Sequence, residues 1–312
     1  MTPAPARARQ LGPVSVPATS ANLGCLFDTA GLALPLQLRA KAEVRAGTGQ
    51  EVVQLGPEGR SLVAGQDLVA GGIRAACQWA GVAPPALRVS VHSEVPVGMG
   101  LGSSAAATLA GLLLGLQLVP QKMATAELLG LAAGLEGHPD NVAAAYLGGL
   151  TVAAALEDGG VAARTARLPA RMRLVVVIPE TGVATASSRR RLPTSYRRRD
   201  AVHNLQRAAL LTASVFSGRF DIGPELFSDR WHQPQRITGL PGAERCLDFR
   251  HPGLLGSWLS GSGPAIVGLA LRDSAEEVAA GMARQHREGG GGPAGTLVVA
   301  PANHGARVWS PR

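Results

Sequence analysis

The glycine-rich segment at residues 98–104 is the feature that most constrains the fold of this chain. It lies between a strand-like stretch at residues 88–95 and an apolar, helix-like stretch at residues 108–118. Glycines at alternate positions let the backbone bend where a side chain would collide, and two serines follow where the helix is expected to begin. Because backbone amides and the positive end of a helix dipole bind phosphate, the segment indicates a nucleotide-using protein. The expected phosphate-binding residues are Pro96, Val97, Gly98, Met99, Gly100, Leu101, Gly102, Ser103, Ser104, Ala105 and Ala106.

Two other phosphate-binding loops are excluded by the same residues. A P-loop requires a lysine before its serine or threonine, and this segment contains no lysine. A dinucleotide fingerprint requires a third glycine where Ser103 stands, followed by a second strand where a helix is expected here. Taken alone, the loop leaves a glycine-rich turn without a ligand as the alternative.

The composition is that of a folded protein large enough for two domains. The chain has 312 residues, of which 46% are hydrophobic and 17% are charged. No apolar run reaches the roughly 20 residues needed to cross a bilayer, and the amino-terminal segment lacks the apolar centre of a secretory signal. The cysteines at 25, 77 and 246 are too scattered for a disulfide framework or a zinc site. We therefore expect a cytoplasmic protein with no membrane partner.

The net charge of +8 raises the question of nucleic-acid binding. Arginine supplies nearly all of the positive charge, and its dense clusters are at residues 189–191 and 197–199. No aromatic residue interrupts either cluster to stack on bases, so we expect a solvated surface and no nucleic-acid partner. The alternative is that arginines are assembled to hold small anions such as carboxylate and phosphate.

Strand-like and helix-like segments mix without strict β-α-β alternation, which favours an α+β fold. The chain becomes richer in Arg, Ser and Thr over residues 181–236, and domains are predicted at residues 10–168 and 169–312. Residues 1–12 are expected to form a loose tail, and residues 47–59 a turn-rich stretch. The predicted strands are residues 14–17, 36–45, 88–95, 150–155, 174–178, 265–271 and 297–300. Besides the helix that follows the glycine-rich loop, the predicted helices are residues 66–80, 124–134, 201–216 and 274–285.

Three further segments narrow the function. Residues 17–28 read Pro-Ala-Thr-Ser-Ala-Asn-Leu-Gly-Cys-Leu-Phe-Asp, residues 136–142 read Glu-Gly-His-Pro-Asp-Asn-Val, and residues 259–264 read Leu-Ser-Gly-Ser-Gly-Pro. Together with the glycine-rich loop, they resemble the GHMP kinases in content and order, from about residue 14 to the end of the chain. The second segment resembles the branch that phosphorylates L-homoserine, and not the mevalonate or galactose branches.

The resemblance implies a two-domain fold with an amino-terminal ATP-binding domain, a ferredoxin-like carboxyl-terminal domain and the active site between them. It also implies an uncommon left-handed βαβ crossover and, by position, adenine contacts at residues 60–75. The implied reaction is ATP- and Mg²⁺-dependent phosphorylation of the L-homoserine side-chain hydroxyl to O-phospho-L-homoserine, on the path to threonine. The alternatives are a kinase of this family for another small alcohol and a relative that binds ligand without turnover. A homodimer stays open as the assembly.

The resemblance also implies roles at the phosphate end of the site. Ser104 and Glu136 would ligate the magnesium ion, since this ion prefers one or two protein oxygens beside phosphate. Simple N-capping is the alternative role for Ser103 and Ser104. Asn141 stands where many kinases have a basic aspartate, and an amide does not accept a proton at neutral pH. Asn141 would therefore position the hydroxyl, with Asp140 as the rival base.

At the acceptor end, the resemblance assigns the carboxylate to Arg189 and Arg236, because a guanidinium matches two carboxylate oxygens. Arg190 and Arg191 remain open as alternatives to Arg189. Asp28 would bind the substrate ammonium. The remaining contacts, to the hydroxyl and the amino end, are assigned to Asn22 and His138.

Four residues depart from the family pattern. Cys25 and Leu26 replace a Pro-Gly pair, and because leucine does not readily adopt positive φ, the loop that carries Asp28 is expected to change shape. Ala265 replaces a common threonine. Met99 stands where a polar residue is frequent, and its side chain is expected to point outward.

Overall fold

The computed structural model describes residues 9–47, 49–54, 67–180 and 185–309. In this part of the chain the strands form two separate sheets. In chain order, the strands are β1 (Gln10–Ala21), β2 (Ala30–Val44), β3 (Gln50–Gln54), β4 (Leu87–Ser93), β5 (Leu150–Ala155), β6 (Val161–Ala166), β7 (Met172–Pro179), β8 (Leu254–Leu259), β9 (Ile266–Leu271), β10 (Ala294–Val299) and β11 (Arg307–Val308). The helices are α1 (Leu68–Trp79), α2 (Ser103–Gly115), α3 (Thr125–Glu136), α4 (Asp140–Leu147), α5 (Thr185–Arg190), α6 (Arg198–Phe216), α7 (Gln233–Ile237), α8 (Ala243–Leu247) and α9 (Ala275–Glu288).

The first sheet has the order β11-β1-β2-β4-β3, and β5 joins it by pairing with both β2 and β6. Its described pairs are antiparallel except for β3 and β4, which are parallel and have α1 between them in the chain. The left-handed crossover stays a prediction. Strand β11 pairs with β1, so the end of the chain returns to the first sheet.

The second sheet has the order β10-β7-β9-β8 and is antiparallel throughout. Helix α6 lies between β7 and β8 in the chain, and α9 lies between β9 and β10. This β-α-β-β-α-β order is ferredoxin-like, which confirms the expected α+β fold of two domains. The proposed limits at residues 10–168 and 169–312 stay predictions, and the transition from β6 to β7 falls near the proposed boundary.

The apolar run in β7 results from burial on both faces. Leu174 and Val176 join the core cluster that extends into the first sheet, whereas Val175 and Val177 join a second cluster with α8 and α9. A strand that is covered on both faces needs apolar side chains at every position and loses the alternating pattern.

The predicted strands and helices are confirmed within the described residues, although β1 and β2 are longer than predicted and α2 ends at Gly115. The predicted loose tail was wrong at residues 10–12, which belong to β1, while residues 1–8 lie outside the described residues. Strand β3 occupies part of the predicted turn-rich stretch, and residues 55–66, with part of the predicted adenine contact, lie outside the described residues. Strands β6, β8 and β11 were not predicted. No helix in the described ranges is both long and apolar enough to cross a bilayer.

Candidate active site

The glycine-rich loop before α2 requires its glycines. Gly98, Gly100 and Gly102 have φ values of 73°, 75° and 71°, in the left-handed region that L side chains rarely adopt. A methyl group at Gly102 would collide with Thr19 Oγ1, and one at Gly100 would collide with the Ser260 carbonyl oxygen. The loop therefore needs both the conformational freedom and the small volume of glycine.

Hydrogen bonds from both sheets hold this loop. The Thr19 amide of β1 donates to the Leu101 carbonyl at 3.1 Å. From the segment after β8, Ser260 Oγ donates to the Gly100 carbonyl at 2.7 Å, and the Ala265 amide donates to the Met99 carbonyl at 3.2 Å. The loop is thus fixed before any ligand binds.

The start of α2 differs from the simple capping arrangement. Gly102 is the N-cap residue in a left-handed conformation, and among the described residues no side chain caps this helix end. The N-capping role for Ser103 and Ser104 was therefore wrong. A glycine cap leaves the serine hydroxyls available for other partners.

Ser104 and Glu136, the predicted magnesium ligands, lie together. Ser104 Oγ donates to Glu136 Oε1 at 2.9 Å, and Thr108 Oγ1 donates to the same oxygen at 2.6 Å. Glu136 ends α3, which is closed by Gly137 at a φ of 87°. A carboxylate and a hydroxyl beside a phosphate-binding loop are the hard oxygen donors that magnesium prefers, so these residues fit the ion.

A cavity of about 260 Å³ joins this loop to the predicted substrate residues. It is lined by Asn22, Asp28, Leu68, Gly98, Gly100, Leu101, Gly102, Ser103, Ser104, Ala105, Leu135, Glu136, His138, Asp140, Asn141, Arg189, Arg236, Gly261 and Ser262. Four predicted phosphate-binding residues, Pro96, Val97, Met99 and Ala106, do not line it. Val97 is exposed, Ala106 is fully buried, and Met99 packs against the core instead of pointing outward.

Asp28 and Arg189 form an ion pair at the cavity. Arg189 Nη2 lies 2.8 Å from Asp28 Oδ1 and 2.7 Å from Oδ2. Burial raises the pKa of the Asp28 carboxyl above its ordinary value, and the Arg189 charge opposes that rise. Arg190 and Arg191, both described, do not line the cavity, which supports Arg189 as the arginine of this cluster that faces the site.

The loop that carries Asp28 stores backbone strain. Asn22, Leu23 and Asp28, with φ values of 75°, 39° and 53°, are the non-glycine residues with positive φ in the described part of the chain. Asn22 Oδ1 accepts the Asp28 amide at 3.0 Å, and Asn22 Nδ2 donates to the Gly261 carbonyl at 3.1 Å. Strain of this kind persists where surrounding contacts over-determine it, often at functional sites.

The Cys25-Leu26 departure fits this loop without strain at Leu26. Leu26 is buried and is not among the positive-φ residues. Cys25 is also buried, and its Sγ donates to the Leu226 carbonyl at 3.1 Å. Ala265, the other departure, is buried and does not line the cavity, so its missing hydroxyl removes no cavity contact.

The Asp140 carboxylate, at the start of α4, accepts hydrogen bonds from neighbouring residues. Its Oδ1 accepts the Asn141 amide at 2.6 Å and lies 2.5 Å from His138 Nδ1. Burial lowers the pKa of the His138 ring, whereas the hydrogen bond to Asp140 and the negative charge of Asp140 raise it. The effect of Asp140 is the larger one, so the pKa of His138 lies above its ordinary value. The ring lies beside two carboxylates, those of Asp140 and Asp28, and both favour its protonation.

The side-chain amide of Asn141 keeps one N–H donor for a ligand, whereas its oxygen is already an acceptor. Thr19 Oγ1 donates to Asn141 Oδ1 at 2.7 Å, which orients the amide, and Nδ2 makes only a long 3.3 Å contact to Asp140 Oδ1. An amide held in this way donates a hydrogen bond to a ligand oxygen and cannot remove its proton.

Arg236 lies deeper than Arg189. It is 4% exposed, and its Nη1 donates to the Gly261 carbonyl at 2.8 Å. Burial lowers the pKa of its guanidinium, and the charge of Asp28 opposes that effect. The Phe27 ring lies under both arginines, with centroid distances of 5.3 Å to Arg236 Cζ and 5.7 Å to Arg189 Cζ. Such contacts with an aromatic face stabilise a cation that is partly removed from water.

Sequence reasoning missed several residues that hold the site in place. Thr19, Thr108, Phe27 and His232 each contact a predicted site residue, and they come from different elements. Phe27 could have been found from its position beside Asp28. For the others no local signal exists, because each meets its partner only in the folded chain.

The two-sheet fold and the loop are those of the GHMP kinases, and comparisons with known proteins agree. The family model for the GHMP kinases N terminal domain matches residues 67–149, and that for the GHMP kinases C terminal domain matches residues 218–288. A homoserine kinase from Moorella thermoacetica is 40% identical over 95% of this chain and 99% of its own length. One from Solibacter usitatus is 40% identical over 81% of this chain and 83% of its own. The crystal structure of homoserine kinase from Cytophaga hutchinsonii is 25% identical and matches 96% of this chain and 97% of its own with a TM-score of 0.78.

The chain therefore belongs to the GHMP kinase family and, within it, to the homoserine kinases. Its ATP-using kinase class follows from this membership. The part played by each individual residue depends on the geometry described above.

Proposed function

We propose that this protein transfers the γ-phosphoryl group of ATP to the side-chain hydroxyl of L-homoserine, giving O-phospho-L-homoserine on the path to threonine. One observation carries the proposal. A prearranged phosphate loop and a set of charges complementary to an amino acid line the same cavity of about 260 Å³. Phosphoryl transfer depends mainly on such positioning and on charge neutralisation.

The acceptor end matches a zwitterion. Asp28 and Arg189 neutralise each other in the structure, and Arg236 lines the cavity nearby. An amino acid brings one ammonium and one carboxylate, so it replaces the pair without leaving either charge buried alone. We assign the ammonium to Asp28 and the carboxylate to Arg189 and Arg236. A neutral alcohol would satisfy neither group.

The phosphate end matches MgATP. We assign the β- and γ-phosphates to the backbone amides of residues 98–104, with Ser104 and Glu136 holding the metal ion. A magnesium ion bound there would neutralise charge on the phosphates. Leu68 and Leu135 are 39% and 48% exposed and line the same cavity, and we assign the adenine to this apolar edge.

The acceptor proton is not taken by a strong side-chain base in this proposal. Asn141 offers a donor to the reacting oxygens, while Asp140 already accepts hydrogen bonds from Asn141 and His138. The proton then leaves late, to a phosphate oxygen or water. Turnover that rises in Asn141→Asp would contradict this account, and complete loss of turnover in a folded Asp140→Asn protein would move the base role to Asp140.

A coupled assay of ADP release tests the function directly. ATP and magnesium are supplied with homoserine, serine, threonine or mevalonate as the acceptor. We expect the highest kcat/KM for homoserine. Preference for another acceptor would indicate a GHMP kinase for a different small alcohol. Binding of homoserine without ADP release would indicate a relative that binds ligand without catalysing the reaction. ADP release at the same rate with and without an acceptor would indicate an enzyme that only hydrolyses ATP.

We propose the cytoplasm as the location. The three cysteines are buried and unpaired, as is usual in a reducing compartment. A homodimer, and the absence of a nucleic-acid partner, stay predictions. Salt-sensitive DNA binding would contradict the latter.

A further inference from the structure

A buried histidine lies behind Arg236 and joins it to the Asp28 loop. His232 is fully buried, and its Nδ1 lies 3.2 Å from Arg236 Nη1. Its Nε2 lies 2.9 Å from the carbonyl oxygen of Gly24. One ring therefore contacts both a predicted carboxylate ligand and the strained loop that carries Asp28.

The partners fix the protonation state of this ring. A guanidinium only donates hydrogen bonds, so Nδ1 must be the acceptor, and a carbonyl only accepts, so Nε2 must carry the proton. Only the neutral Nε2–H tautomer satisfies both contacts. Burial, with the charge of Arg236, lowers the pKa of His232 to about 4, against the opposing charges of Asp229 and Asp140. The ring therefore remains neutral across the physiological pH range.

The backbone around His232 is itself held firmly. Asp229 accepts the amides of Trp231, His232 and Gln233 at 3.0, 2.9 and 2.7 Å, which fixes the chain where α7 begins. His232 and Arg236 stand four residues apart across this short helix, a spacing that places side chains on the same face. The helix start is anchored, so the ring has a fixed position from which to hold the arginine.

The contacts also determine which Arg236 donors remain for a ligand. The two hydrogens of Nη1 are used by His232 Nδ1 and the Gly261 carbonyl. Among the described residues Nε has no hydrogen-bond partner, and no bond of Nη2 is found. Nε is buried, so a guanidinium whose Nη1 is held in this way keeps its Nη2 donors for a carboxylate.

We infer that His232 is a positioning residue that fixes the orientation of Arg236 and thereby sets the affinity for the carboxylate of the acceptor substrate. The inference rests on the proposed function, because it concerns the same acceptor site. His232 does not touch the reacting atoms. The Phe27 ring, stacked on His232 at 5.1 Å and on Arg236 at 5.3 Å, completes the support on the other side.

Two substitutions separate the two contacts of the ring. Asparagine places its oxygen near the position of Nδ1, so His232→Asn keeps an acceptor for Arg236 and loses the bond to Gly24. Glutamine places an amide near the position of Nε2, so His232→Gln keeps the Gly24 bond and loses the acceptor. We expect His232→Gln to raise KM for homoserine about tenfold, the size expected for a lost bond to a charged group, with a smaller rise in His232→Asn. KM for ATP stays within about twofold in both.

His286 supplies the matched control. It is also a buried histidine, 2% exposed, but it lies on α9 and does not line the cavity. His286→Gln is expected to lower thermal stability while leaving KM for homoserine unchanged. If His232→Gln and His232→Asn raise both KM values equally, or match the control, the inference is overturned.

A measurement on the unchanged protein covers the case in which the variants do not fold. The ¹⁵N chemical shifts of the His232 ring should show an unprotonated Nδ1 and a protonated Nε2 from about pH 6 to about pH 8. A proton on Nδ1 would overturn the inference while homoserine turnover continued normally. Failure of the unchanged protein to turn over homoserine would instead overturn the proposed function, and the inference with it.

Discussion

At the residue scale, the charged side chains of the site are paired with one another. Asp28 and Arg189 bind each other, and His138 and Asp140 form a second pair beside them. A partly buried charge without a partner is unfavourable, so the two pairs stabilise the arrangement of these side chains. A zwitterionic substrate can exchange with the first pair because it supplies both signs of charge. Under the proposed function, such an exchange would favour an amino acid over a neutral alcohol.

The first prediction concerns Arg189. Arg189→Lys should raise KM for homoserine about tenfold or more, because lysine lacks the planar two-donor edge and such substitutions are not conservative at a carboxylate. The expected change in KM for ATP is small. Steady-state kinetics with each substrate varied in turn measure both values.

The neighbouring Arg190 gives the control for this prediction, since it is exposed and does not line the cavity. Arg190→Lys should leave both KM values within about twofold, as is usual for an exposed substitution. An equal rise in KM for homoserine in both variants would mean that homoserine affinity depends on the arginine cluster as a whole and not on the residue paired with Asp28.

At the element scale, the glycines of the loop before α2 are needed for two separate reasons, the backbone conformation and the lack of space for a side chain. Gly98, Gly100 and Gly102 all need positive φ, but only the last two are also packed against neighbouring atoms. At Gly98 a methyl group would find open space. The conformational and the steric demands can therefore be tested separately.

The second prediction compares Gly102→Ala with Gly98→Ala. Gly98→Ala should lower the free energy of unfolding by roughly 1–2 kcal/mol, the cost of a left-handed L-residue. Gly102→Ala should lower it by more and should also raise KM for ATP strongly, because the methyl group displaces Thr19 and with it the loop. Urea unfolding and ATP kinetics measure the two effects. Equal losses in both variants would contradict the packing argument.

The third prediction concerns the threonine that holds Glu136. Thr108→Val removes the hydroxyl that donates to Glu136 Oε1 with little change in shape. Loss of such a supporting bond typically weakens metal affinity by about 10- to 100-fold, so half-maximal activity should need about tenfold more magnesium. Activity titrated against magnesium at saturating ATP and homoserine measures this shift.

Thr151→Val supplies the control, because Thr151 is equally buried and its hydroxyl bonds the Gly148 carbonyl outside the cavity. It should lose stability without a change in the magnesium requirement. An unchanged requirement in Thr108→Val would remove Glu136 from the metal assignment.

The elements and the site differ in how far they can be predicted from sequence. The glycine-rich loop, Ser104 and Glu136 were found because short motifs mark them locally. Thr19 contacts Asn141, which is 122 residues away in the sequence, and His232 contacts Gly24, which is 208 residues away. No local sequence pattern predicts either contact. Strands β6 and β11 were missed for a related reason, since short exposed strands carry little apolar signal and depend on their partners.

At the scale of the whole molecule, the two sheets share one core and one set of loop contacts. The larger apolar cluster contains residues of both sheets, including Val16 of β1 and Trp258 of β8. Ser20 Oγ also accepts Trp258 Nε1 at 2.9 Å and shares a hydrogen bond with Ser260 Oγ at 2.8 Å. The cavity of the candidate active site is lined by residues from both sides of this junction, so its geometry depends on the two sheets being folded together.

The fourth prediction follows from the shared core. Urea should unfold the chain in a single cooperative transition, with the same midpoint by far-ultraviolet circular dichroism and by the fluorescence of the buried Trp258 in a variant that lacks the other tryptophans. Loss of activity should follow the same curve. Two separated midpoints would show that the sheets are independent units and that the junction contributes little to stability.

Identification of the reaction product tests the central claim most directly. The protein is incubated with MgATP and L-homoserine, and the products are followed by ³¹P NMR. We predict a phosphomonoester on the homoserine side-chain oxygen that forms in step with ADP. Inorganic phosphate formed in place of the ester, or no ADP at all, would contradict the account.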